Sequence, residues 1–167
     1  MKAPICRVCV TSDILCTGCE DKLKQGNISQ VDIDLARTLS KLAVQHPILE
    51  HSEFKSTISF KEMLLVLVPK GMAGNFIGRK GTLIKEISDT LGQRRIKVVE
   101  ETNNPKELVQ RILYPAQLLG VNVVYSGKKQ IFKVRISRAD RQRIHEKESL
   151  EKLFEKLLGS ETNIIFE

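Results

Sequence analysis

Apolar residues along this chain follow two spacings, and the change from one to the other marks out its elements. From Ser29 the period is helical: Val31, Leu35, Leu39 and Leu42 share a face, Ser29 stands as N-cap with Asp32 in capping-box position, and His46-Pro47 closes the segment. Phe54 to Phe60 alternates, placing Phe54, Ser56, Ile58 and Phe60 on one side of a strand. Met63 to Val68 is apolar at every position, as expected of a strand covered on both faces. A short helix is expected near Ala73–Ile77. A longer one follows, with Leu83, Ile84, Ile87 and Leu91 inward and Gly92 as its C-cap. Arg95 to Val99 reads as a closing strand, so the predicted order is αββααβ.

The pattern then restarts. Asn104-Pro105 opens a helix with proline at its first position, carrying Leu108, Val109, Ile112 and Leu113, and Pro115 kinks or ends it. Val121 to Tyr125 and Gln130 to Ile136 read as a hairpin around Gly127. Arg138 to Ile144 and Leu150 to Leu158 are expected as helices, with Gly159 as cap and Asn163 to Phe166 as the last strand. Laying the first body on the second without a gap pairs Leu91-Gly92 with Leu158-Gly159, Ile77 with Ile144, Leu83 with Leu150 and Lys85 with Lys152. The chain therefore reads as an internal repeat.

Between the short and long helices of the first body stands Gly78-Arg79-Lys80-Gly81. Glycine lets a backbone approach another chain and present its N–H groups, and a helix starting just after such a turn adds the positive end of its dipole. Arg79 and Lys80 supply charge. The second body has His145-Glu146-Lys147-Glu148 at this place, without glycine and with two carboxylates. Its basic residues instead crowd its middle: Lys128, Lys129, Lys133, Arg135, Arg138, Arg141 and Arg143, a candidate secondary phosphate surface that reads no sequence. The net charge of +7 favours a polyanionic partner, and the low aromatic content of 5% argues against a reader that stacks bases on an aromatic sheet. No apolar run approaches membrane-spanning length and the N-terminus lacks a signal-peptide core, so the expectation is a cytoplasmic protein with no membrane partner.

All four cysteines lie near the start, as Cys6-Arg7-Val8-Cys9 and Cys16-Thr17-Gly18-Cys19. Two such pairs suit a tetrahedral structural zinc, each pair forming a tight turn that aims two thiolates at one point, with Gly18 suited to the second turn. Disulfides, an iron–sulfur centre and a redox role are the weaker readings. With all four positions filled by protein, the ion has no open site for catalysis.

The element order and the glycine motif together resemble type II KH domains, in which the Gly-x-x-Gly loop clamps the backbone of about four unpaired nucleotides. The fold class expected is thus α+β: two tandem type II KH domains, at 27–101 and 102–167, preceded by a four-cysteine zinc module at 1–26. The resemblance implies single-stranded RNA as partner, with Gly78, Arg79, Lys80 and Gly81 holding phosphates. It places bases in an apolar groove between the flanking helices and the last strand, with Lys85 and Lys97 as contacts at its edge; Ile77, Leu83 and Ile84 border the motif and read equally as core packing. A cysteine knuckle before a KH pair is similar to one branch of the archaeal NusA-like proteins. That implies a role in transcription elongation or termination and RNA polymerase or another RNA-processing protein as partner.

Two rival classes bear on the same residues. His46, His51 and His145 have no spacing that makes a triad or an open metal site, and the glycines at 71, 74, 78 and 81 match neither nucleotide-binding fingerprint, so an enzyme is not expected. An adaptor, or a ribosome-assembly or RNA-decay factor docking proteins through the zinc module, is the other reading.

Overall fold

The computed structural model describes residues 1–60, 63–92, 95–144 and 146–167. The chain divides into two compact units, Met1–Glu101 and Thr102–Glu167.

In the first unit two short helices, α1 (Arg7–Thr11) and α2 (Thr17–Lys24), precede the long α3 (Gln30–Leu42). The start of α3 is a complete capping box: Ser29 Oγ accepts from Asp32 N at 3.1 Å and Asp32 Oδ2 accepts from Ser29 N at 2.7 Å. The other Asp32 oxygen accepts from Thr57 N at 2.6 Å, which ties the helix start to the first strand. Strands β1 (Ser56–Phe60) and β2 (Met63–Val68) are antiparallel. Helices α4 (Ala73–Ile77) and α5 (Thr82–Leu91) lead to β3 (Arg95–Glu100), which pairs parallel with β2, so β2 is central. Its central place explains the unbroken apolar run: Leu64, Val66 and Val68 join the helix-side core, and Leu65 and Leu67 on the opposite face are buried too.

The cysteine segment does not stand apart from this body. Ile5, Cys9 and Cys19 belong to the same core as Leu35, Leu39, Phe76 and Ile87. It also explains why α3 buries Ile33 and Ala36 besides the expected Leu35, Leu39 and Leu42: a second side of the helix is covered. Phe54 lies outside β1 but is buried.

The second unit repeats the sheet topology. Helix α6 (Pro105–Leu113) is capped by Asn104, whose side chain accepts from Lys106 N; β4 (Leu118–Ser126) and β5 (Lys129–Ile136) form the hairpin; α7 (Lys147–Leu158) precedes β6 (Glu161–Phe166), which pairs parallel with β5. Two expectations change. Arg138 to Ile144 is not an α-helix: Arg138–Arg143 is a 3-10 turn, with Asp140 N bonded to Ser137 O and Ile144 N to Arg141 O, the i→i+3 pattern that short segments adopt. The last helix also starts at Lys147 rather than Leu150, because no glycine with positive φ interrupts it there as Gly81 does ahead of α5. The gapless overlay also slips in the sheet. Leu64 pairs with Ile96, whereas Lys133 pairs with Asn163, a two-residue shift that keeps every side chain on its face.

Candidate nucleic-acid interface and metal centre

The loop between α4 and α5 is built by three left-handed residues in four. Gly78 has φ 71° and ψ 179°, Lys80 φ 52°, and Gly81 φ 75° as the N-cap of α5. Gly78 occupies a region of backbone space that only glycine enters without strain, and a Cβ there would stand 2.6 Å from Leu83 Cβ. Gly81 is less constrained, since a Cβ would meet only Ile84 Cγ2, at 3.8 Å. Gly78 N–H donates to Gly74 O and Gly81 N–H to Gly78 O. The N–H groups of Arg79 and Lys80 have no partner among the described residues, and both side chains are exposed. The result is a tight bend with two exposed cations, two N–H groups open among the described residues, and a helix start close behind.

The structure separates the flanking residues. Leu83 is buried in the core, whereas Ile77 at the end of α4 is 38% exposed beside the loop, and Ile84 is half-buried. Lys85 is exposed on the first turn of α5. Lys97 is not brought to the loop. Ile96 and Val98 pack against the helix-side core, so strand alternation puts Lys97 on the other face of the sheet. Burial there pulls its ammonium below the usual lysine range.

The structure spreads the basic residues of the second unit along its hairpin and the turn beyond it. Lys128 and Lys129 sit at the tip of the β4–β5 hairpin, Lys133 lies within β5, and Arg138, Arg141 and Arg143 lie in the turn beyond its other end, about 25 Å from the tip at the rise of a strand. Within the turn, Arg143 Nη1 is held by Asp140 Oδ1 at 2.8 Å, and the other Asp140 oxygen accepts from Gln117 N. Arg135 is paired with Glu167 at 2.7 Å. Arg138 and Arg141 have no ion pair among the described residues. Of the tetrad opposite the glycine loop, His145 lies outside the described residues; Glu146 is the N-cap of α7 and Lys147 and Glu148 are in its first turn.

At the N-terminus the four cysteine sulfurs all lie within 4.8 Å of one another. Each Cys-x-x-Cys pair is the N-cap and third residue of a helix: Cys6 and Cys9 of α1, Cys16 and Cys19 of α2. Gly18 therefore sits inside the first turn of α2 without a positive φ, and the expected glycine turn is replaced by a helix start. The two starts are crossed. Cys6 N–H points at Cys19 Sγ at 3.4 Å and Cys16 N–H at Cys9 Sγ at 3.1 Å, as backbone donors supporting thiolates. A tetrahedral ion with metal–sulfur bonds of about 2.3 Å sets its sulfurs about 3.8 Å apart. Cys6 and Cys9 sulfurs are 3.4 Å apart, and Cys6 and Cys16 sulfurs 3.8 Å. The donor set fits a metal ion.

Thiol ionisation points the same way. The Cys9 N–H, then the Cys9 thiol, draws Cys6 down to about 7. The Cys16 N–H pulls on Cys9, but burial and the adjoining thiols outweigh it and push Cys9 up to about 12; Cys19 is raised for the same reasons against the pull of the Cys6 N–H. Cys9 and Cys19, both raised, do not join Cys6 as thiolates unless a cation sits among them. Behind them Arg37 Nε donates to Cys9 O at 3.3 Å.

Residues 63–113 match the KH domain family, a span from β2 through α6 that contains the glycine loop. The chain thus carries a KH domain, and KH domains are modules that bind RNA. None of the curated protein sequences matches it. Among solved structures, one described as "Crystal structure of APE1850" is similar, at 26% identity and a TM-score of 0.57, over 77% of this chain and 96% of that one.

Proposed function

We propose that this chain is a single-stranded RNA-binding protein of the NusA-like kind, acting in transcription elongation or termination in the cytoplasm. The loop Gly78 to Gly81 carries the proposal: its backbone comes close to whatever lies outside it, and its open N–H groups and two cations suit an RNA phosphodiester. Gly78, Arg79, Lys80 and Gly81 grip phosphates, Ile77 offers an apolar contact beside them, and Lys85 adds charge at the start of α5. Lys97 contributes only through a face of the sheet away from the loop. The second unit is a KH domain that has lost its clamp. The cysteines hold a structural Zn2+.

The test is a titration of labelled RNA followed by anisotropy. The expected result is saturable binding of an unstructured oligoribonucleotide and weaker binding of a duplex of equal length, since a clamped backbone must be unpaired. Equal affinity for both, or no saturable binding at physiological salt, sinks the reading. Protein docking by the cysteine segment is a compatible second reading, favoured by Val8 at 68% and Ile14 at 79% exposure. RNA polymerase or another RNA-processing protein is the partner to test by pull-down, with Val8→Ser and Ile14→Ser as the discriminating variant.

A further inference from the structure

Beyond the glycine loop, the second unit holds a cavity of about 580 Å³ lined by Arg138, Arg141, Lys147, Ile164, Ile165 and Phe166. Three elements form its walls: the 3-10 turn, the first turn of α7 and the end of β6. In the order of elements this is the counterpart of the space bounded in the first unit by α4, the glycine loop and β3. The second unit has therefore lost the loop that grips a backbone and kept a recess beside its place.

The chemistry of the recess is mixed in an informative way. Arg138 and Arg141 are exposed and carry no ion pair among the described residues, unlike Arg143 and Arg135, which are held by Asp140 and Glu167. Lys147 is 3.6 Å from Glu151, and the same Glu151 oxygen accepts from Ile164 N at 2.7 Å, so that carboxylate is already committed. The lining keeps an excess of positive charge. Arg141 lies over the Phe166 ring, its guanidinium carbon 5.8 Å from the centroid, and Ile165 and Phe166 are only half-buried. A guanidinium on one aromatic ring is flat and rigid, and its other face suits a nucleobase. The cavity volume falls within the range of small-ligand sites.

We infer that this recess is a second RNA subsite that takes a single nucleotide: Arg138 and Lys147 neutralise its phosphate with side chains in place of glycine N–H groups, and its base lies against Arg141 and Phe166. The inference rests on the RNA-binding reading of the first unit and adds to it a site that works without a glycine clamp.

The test uses the full chain and records amide shifts by NMR during titration with uridine monophosphate and, separately, with inorganic phosphate. Uridine monophosphate is expected to move the amides of Arg138–Arg143 and Ile164–Phe166, whereas phosphate moves the arginine turn alone. Arg138→Gln with Arg141→Gln should abolish both responses and weaken an unstructured decanucleotide at least threefold in anisotropy, while Arg143→Gln reports the cost of disturbing the turn. Shifts at Phe166 that survive the double substitution overturn the inference. So does a decanucleotide affinity that depends on the glycine loop and ignores Arg138 and Arg141; that outcome leaves the RNA-binding reading standing. Mononucleotide shifts in the recess with no decanucleotide binding anywhere have the opposite meaning: the subsite stands and the clamp falls.

Discussion

Replacing Arg79 and Lys80 together by aspartate reverses the charge of the loop and leaves both glycines in place. Both residues are exposed and their side chains carry no ion pair among the described residues. Lys80 is left-handed, a conformation that aspartate accepts more readily than most residues. Unfolding free energy should therefore move by no more than about 0.5 kcal/mol, as for surface substitutions generally. RNA binding should not escape so lightly. Each phosphate contact on a single strand contributes about 0.7 to the slope of log K against log salt, so losing two flattens it by about 1.4. Reversal adds repulsion, and affinity near 0.1 M salt should fall at least tenfold. Anisotropy titrations of an unstructured oligoribonucleotide over a range of salt, with urea melts beside them, give both quantities. An affinity within twofold of wild type and an unchanged slope would refute the clamp. Substituting the glycines themselves is the wrong experiment, because the side chain at Gly78 would collide with Leu83 and change the fold along with the function.

Three further outcomes are expected. Gly78→Ala combines a glycine-only backbone conformation with a 2.6 Å collision and should cost about 2–5 kcal/mol in a urea melt, against about 1 kcal/mol for Gly81→Ala; equal losses would mean the Leu83 contact is relieved elsewhere. Elemental analysis should find one zinc per chain. Acidification should release it, because the thiols that hold the ion must be deprotonated; Cys9→Ser should abolish retention, and a metal-free chain that melts as wild type would discard the centre. Asp32→Ala removes the capping box and leaves the buried Thr57 N–H without its acceptor, a cost of about 2–4 kcal/mol by thermal melting; a loss under 1 kcal/mol would show that α3 and β1 are held in register by packing alone.

Local pattern was enough for most of the architecture. A capping box, a proline at a first helical turn, glycine at a helix end and an unbroken apolar run are each decided within a few residues. So Ser29, Asn104, Gly92 and the Met63 to Val68 strand stand where the sequence puts them. The glycine loop was legible for the same reason. Tertiary neighbours decided the rest. The difference between Gly78 and Gly81 depends on where Leu83 lies, and that between Leu83 and Ile77 on which faces α4 and α5 turn to the core. Arg135 is neutralised by Glu167, thirty-two residues on, a pairing no charge count along the chain reveals. The cysteine spacing pointed to four sulfurs that could hold a metal ion, but crossed helix starts rather than a glycine turn bring them together, because the two pairs fold against each other and on α3. The sequence by itself determined most of the elements and where a glycine loop brings the backbone to the surface. Only the folded chain decided which charges remain free of ion pairs among the described residues, because such pairs are made between residues that the sequence keeps far apart.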